Sequence, residues 1–135
     1  MARNIDLLII SPGNNRIIYQ GLAKEYSAIE PPVWAGLLAK FARNQGYGTY
    51  LMDQEALGLS SEKIAQNTHD LNPRLVAIVV YGQQPSASTQ NMTMAEEICS
   101  KIHSQSPLIK ILLVGGHVSA LPEKTLNECD ADFVC

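Results

Sequence analysis

The chain predicts a doubly wound α/β domain built on a parallel five-stranded sheet. Five short apolar runs, Ile5–Ile10, Thr49–Met52, Leu75–Tyr81, Ile109–Val114 and Asp132–Cys135, are spread over its 135 residues. The first, third and fourth are continuous rather than alternating, the pattern of strands covered on both faces. Helical patterns separate the runs, and such alternation implies right-handed crossovers between parallel neighbours.

The elements follow in order. Pro32 suits a helix start, and Val33, Trp34, Leu37, Leu38 and Phe41 then trace one apolar face, expected to lie on the sheet; Gly46 ends that helix. Ser60 is an N-cap candidate for a second helix running to Leu71 and closed by "NPR". A third starts near Ser86 and turns Met92, Ala95, Ile98, Cys99 and Ile102 inward before "SQSP" stops it. A short last helix opens at Pro122 with Glu123 in its first turn. The chain then stops inside its fifth strand. An open parallel sheet needs cover on both faces, so the expectation is a piece cut from a longer protein, its last helix missing and one face partly bare.

Composition narrows the function. The length is that of one domain. A net charge of −3 gives no electrostatic case for nucleic acid or an anionic membrane surface. No apolar run is long enough to cross a bilayer, and the N-terminus carries no signal-peptide pattern. Three cysteines, Cys99, Cys129 and Cys135, match neither CxxC nor a zinc spacing. They read as small apolar residues of a reducing cytoplasm. His69 and His103 fall on polar helix faces and read as solvated.

Ligands of doubly wound sheets sit at the carboxyl ends of the strands, here Ser11–Arg16, Met52–Glu55, Gly82–Ser88 and Gly115–Leu121. The turn "SPGNNR" lacks the glycines of GxGxxG, and no GxxxxGK[ST] exists. Asp53 stands where a ribose-binding acid would, but without those glycines reads as a solvated strand-end acid. No nucleophile and base pair up, so no catalytic residue is assigned, and no metal-ligating set either. His117 reads as a loop histidine making one backbone hydrogen bond, with a ligand or catalytic group as the alternative. What remains is a crevice of Asn14, Asn15, Gln83, Gln84, Ser86, Ser88 and Thr89, with Gly13, Gly82, Gly115 and Gly116 allowing close backbone approach. Such a wall suits a large, mostly neutral, amide-rich ligand, since amides pair donor to acceptor at little electrostatic cost. A phosphate on it could meet the helix N-termini after Pro85 or Leu121. The same residues also serve as turn formers and caps.

Three stretches, "EPPVWAGLLAKFARNQGY", "VVYGQQPSASTQNM" and "ILLVGGHVSALPEKTLNECDADFVC", together resemble the N-terminal domain of cobalamin-dependent radical S-adenosylmethionine enzymes. That family includes methyltransferases and the anaerobic magnesium-protoporphyrin monomethyl ester cyclases. The resemblance covers nearly the whole chain. It implies a flavodoxin-like cobalamin-binding domain over residues 1–135, strand order 2-1-3-4-5. The cofactor-binding residues it implies are Ser11, Pro12, Gly13, Asn14, Tyr81, Gly82, Gln83, Gln84, Ser86, Ser88, Thr89, Gly115, Gly116, His117, Leu121 and Pro122.

Cobalamin domains of the mutase kind carry DxHxxG, then SxL, then GG. Ser86 stands for the serine of SxL, with Ser88 in place of the leucine, and Gly115–Gly116 stand for GG. DxHxxG is absent, so the resemblance implies cobalamin with its lower base displaced and no histidine ligand. The radical chemistry needs a CxxxCxxC loop for a [4Fe-4S] cluster and S-adenosylmethionine, and this sequence has none. It would bind cofactor, without turnover alone, beside a C-terminal radical domain of the same polypeptide; the piece by itself is expected to self-associate. A flavodoxin-like interaction module without cofactor and a flavin or nucleotide binder are the alternatives.

Overall fold

The computed structural model describes residues 5–13, 30–81 and 85–135, the side chains of 85–87 excepted. Strands β1 (Leu7–Ser11), β2 (Thr49–Asp53), β3 (Leu75–Val79), β4 (Lys110–Val114) and β5 (Phe133–Val134) form one parallel sheet in the order β2-β1-β3-β4-β5. This is the flavodoxin-like order expected above. The helices are α1 (Val33–Asn44), α2 (Gln54–Leu57), α3 (Ser61–Leu71), α4 (Pro85–Gln105), α5 (Gly116–Ala120) and α6 (Pro122–Glu128). The short helices α2 and α5 were not expected from the sequence.

Because strand side chains alternate, the sheet carries two cores. On one face Leu8, Ile10, Met52, Val76, Ile78, Ile111 and Leu113 meet Ile64 of α3, Val118 of α5 and the inward set of α4. That set is Met92, Ala95, Ile98, Cys99 and Ile102, all buried as expected. Each such Leu or Ile side chain, fully buried, contributes roughly 1.5–3 kcal/mol. On the other face a smaller core joins Ile9, Ala77 and Val79 to Ala35 and Ala39 of α1.

Helix ends follow their residues. Ser60 caps α3, its hydroxyl accepting from Lys63 N, and Asn72 closes that helix in the left-handed region at φ 44°. Gly46 follows α1 at φ 89°, where a side chain would be strained. Asp53 caps α2, accepting from the amides of Glu55 and Ala56. It is thus a helix cap rather than a free strand-end acid. His103 is exposed, whereas the exposed His69 shares a 3.0 Å hydrogen bond with Ser106 through Nδ1.

The face of α1 is a correction. Ala35, Ala39 and Ala42 are buried against the sheet, while Trp34, Leu37 and Phe41 are 57%, 56% and 65% exposed and Leu38 is half-buried. Both stripes have helical period. The alanine stripe lets the helix axis come closer to β1 and β2, and that closer packing is the one adopted.

Candidate functional site

β1 passes to α1 on one face of the sheet, and β3 passes to α4 on the other. The helices that follow β1 and β3 thus lie on opposite faces, and the carboxyl edge between these two strands is the switch point where such sheets bind ligands.

The β1 side of this crevice is held from below. Ser11 is half-buried at the strand end and Pro12 is buried. Gly13 N donates to Gln54 Oε1 at 2.8 Å, and Gln54 Nε2 donates onward to the Leu59 carbonyl at 3.1 Å. Gln54 is itself only 5% exposed, so its amide is a buried staple between this loop and the start of α2. A Cβ on Gly13 would lie 2.9 Å from Glu55 N, which explains the glycine by packing. Sequence reading missed Gln54, since nothing local marks a partner 41 positions away. Asn14 and Asn15 lie outside the described residues.

On the β3 side, Tyr81 is exposed and Ser88 is buried, its hydroxyl donating to the Val80 carbonyl at 3.0 Å. That hydroxyl is engaged inside the fold. Gly82, Gln83, Gln84 and the side chain of Ser86 lie outside the described residues. Tyr81 stacks on Trp34, with ring centroids 5.3 Å apart and an interplanar angle of 29°. Trp34, expected in the core, thus stands at the rim instead; the period of its helix gave no sign of this.

On the β4 side the two glycines differ. Gly115 is buried, and a Cβ there would stand 2.2 Å from the Val80 carbonyl oxygen; Gly116 is exposed, and a Cβ would meet only Ser88 Oγ at 3.8 Å. The first glycine is demanded by the strand beside it. The second is not demanded by the protein's own packing. Next to it, His117 Nδ1 lies 3.0 Å from Thr89 Oγ1, bridging the first turns of α5 and α4. Leu121 and Pro122 are exposed at the start of α6. The structure thus brings Ser11, Pro12 and Gly13, then Tyr81, Ser88 and Thr89, then Gly115, Gly116 and His117 to one edge of the sheet.

Two of the three thiols, those of Cys99 and Cys129, belong to the interior, whereas Cys135 is exposed. Burial pushes the Cys99 thiol far up, and burial with Glu96 beside it pushes Cys129 up to about 11. Both stay protonated and are poor nucleophiles. Among the described residues no group of three or more His, Cys, Asp or Glu side chains could hold a metal ion, and no helix is long and apolar enough to cross a membrane.

The donor set fits a corrin. The loops after β3 and β4 carry no Asp, Glu, Lys or Arg before Glu123, and what they offer an amide-fringed disc is hydroxyl, imidazole and peptide groups. Exposed Gly116 leaves open backbone where a side chain would otherwise stand.

Comparison with known proteins agrees. A crystal structure of a Burkholderia pseudomallei protein described as pilus assembly-related shares 12% identity, with 99% of this chain and 79% of that one covered at a TM-score of 0.56. At that identity the likeness is one of fold. No curated protein matches the sequence. The family model for the B12 binding domain matches residues 19–135, and the chain therefore belongs to the B12 binding domain family.

Proposed function

We propose that this chain is the cobalamin-holding domain of a cobalamin-dependent radical S-adenosylmethionine enzyme, of the methyltransferase or magnesium-protoporphyrin monomethyl ester cyclase kind. Cobalamin binding rests on the family; the radical context rests on the three sequence stretches that resemble those enzymes. The observation that carries the binding mode is Gly116, exposed and not required by the fold, beside Thr89 and His117 at the carboxyl edge of the sheet.

In this reading each group has a task. Gly116 would leave room for the nucleotide tail to pass beside buried Ser88. Thr89 and His117, hydrogen-bonded to each other, present a hydroxyl and an imidazole edge to the amide arms. Gln54 holds Gly13, two residues past β1, at the edge where the cofactor would bind. The sequence after β1, "SPGNNR", supplies no histidine for the lower cobalt face. Bound cobalamin would supply methyl-group chemistry at cobalt, while this chain's residues bind and orient it. The [4Fe-4S] cluster and S-adenosylmethionine belong to a C-terminal radical domain of the same cytoplasmic polypeptide.

Two experiments test the two levels. Protein incubated with hydroxocobalamin or with FMN, then freed of unbound ligand, should retain cobalamin; retained FMN, or no retained ligand, contradicts the binding claim. The full reading frame should encode a CxxxCxxC loop beyond this domain, and its absence contradicts the radical context.

A further inference from the structure

Two aromatic rings meet at the carboxyl edge of the sheet. Tyr81 lies two residues past β3, and Trp34 lies in the first turn of α1, which packs on β1 and β2. The helix after a strand of a parallel sheet runs back against it, so its first turn stands at the carboxyl ends of the strands. The rings therefore converge from the two sides of the switch point, and they stack with centroids 5.3 Å apart.

The stack uses one side of each ring and leaves the rest in water. Trp34 is 57% exposed and Tyr81 41% exposed. Their neighbours in the chain anchor them: Ala35, next to Trp34, and Val79, two residues before Tyr81, are both buried in the smaller core. Isolated exposed aromatics are common on protein surfaces. A stacked pair drawn from two elements is a preformed ledge, which loses little freedom when a ligand lands on it. The ledge also adjoins the site already described. Val80 N donates to the Val114 carbonyl at 2.7 Å, and Gly115 abuts the Val80 carbonyl. Tyr81 and Gly116, each the next residue on, are thus neighbours along the edge, and one flat ligand can meet both.

We propose, on the cobalamin-binding reading, that Trp34 and Tyr81 form the ledge on which the corrin disc rests. Trp34 stands outside the cofactor-binding set that the resemblance implies. The chemistry of the pair suits that occupant. Aromatic faces pack against a flat, conjugated, largely apolar ring, while the indole N–H and the phenol O–H can bond to the amide arms at its rim. Gly116 would take the nucleotide tail, on the β4 side of Tyr81, which leaves the disc itself for the ledge.

Spectral titration of the chain with hydroxocobalamin and with cobinamide, which has the corrin but no nucleotide tail, tests the ledge. Trp34→Ala and Tyr81→Ala should each weaken both ligands by roughly tenfold or more, the loss expected of an aromatic contact. The factor should be the same for the two ligands, because the disc is common to both. Trp34→Phe, which keeps a ring, should retain most of the affinity. A second measurement needs no substitution. Trp34 is the single tryptophan of the chain, so a nuclear Overhauser contact between indole ring protons and corrin methyl protons should appear in the wild-type complex. Cobalamin bound without that contact, or bound equally well by Trp34→Ala, overturns the proposal and leaves the binding reading intact. A wild type that binds neither ligand overturns both.

Discussion

The backbones of Gly115 and Val80 approach so closely that a Cβ on the glycine would lie 2.2 Å from the Val80 carbonyl oxygen. Gly115→Ala should destabilise the fold by roughly 1–3 kcal/mol, the range for overpacked interiors, in urea unfolding of the cofactor-free protein. Gly116→Ala should separate from it. The added methyl meets ordinary van der Waals distance at the start of α5, so stability should change by less than about 1 kcal/mol, toward greater stability. Cobalamin retention should nevertheless fall. Equal unfolding midpoints for Gly115→Ala and wild type would refute the packing account.

Gln54 gives a second prediction. Its amide accepts from Gly13 N and donates to the Leu59 carbonyl while almost fully buried. Gln54→Leu fills similar space but leaves both backbone groups without their partner, which should cost about 1–3 kcal/mol. Amide hydrogen exchange at Gly13 should accelerate in the variant. Unchanged exchange there would show that the loop is held by something else.

The cobalt environment follows from the histidines. None follows β1 in "SPGNNR", and His117 Nδ1 is hydrogen-bonded to Thr89. The Co(II) form of the reconstituted protein should show no nitrogen splitting from a protein ligand in electron paramagnetic resonance. A splitting that vanishes in His117→Ala would contradict this.

Acid stability has one identifiable contributor on the β4–β5 side. Burial would raise the pKa of Asp132, but the Lys110 ammonium at 2.6 Å and the Ile111 amide at 2.9 Å prevail and hold it below its ordinary value. A carboxylate lowered on folding contributes stability above its unfolded pKa, about 3.9, and loses it as pH falls through the folded value. Stability should therefore decline below about pH 4, and Asp132→Asn should flatten that decline. The pair is partly exposed, so the effect at neutral pH should stay within about 1 kcal/mol. An identical acid limb in the variant would exclude the contribution.

The sheet and its order were legible because buried parallel strands write continuous apolar runs, and α4 was legible because one stripe of its period is large and apolar. In α1 two stripes compete. Val33, Trp34, Leu37 and Phe41 outweigh Ala35, Ala39 and Ala42 in hydrophobicity, yet the alanines face the sheet. Periodicity locates stripes; it does not say how closely a helix axis must approach its neighbour. In the site, the edge that gathers Ser11–Gly13, Tyr81 and Gly115–His117 was legible from the strand order. The reasons behind individual residues were not. Gly115 answers to Val80, Ser88 to Val80 and Gly13 to Gln54 and Glu55, all contacts made across the fold rather than along the chain.

The visible spectrum of protein reconstituted with hydroxocobalamin and freed of unbound cofactor tests the central claim most directly. The account predicts retained cobalamin in the base-off form, with its nucleotide tail drawn along the sheet beside Gly116. A retained base-on spectrum, or no retained colour at all, would contradict it.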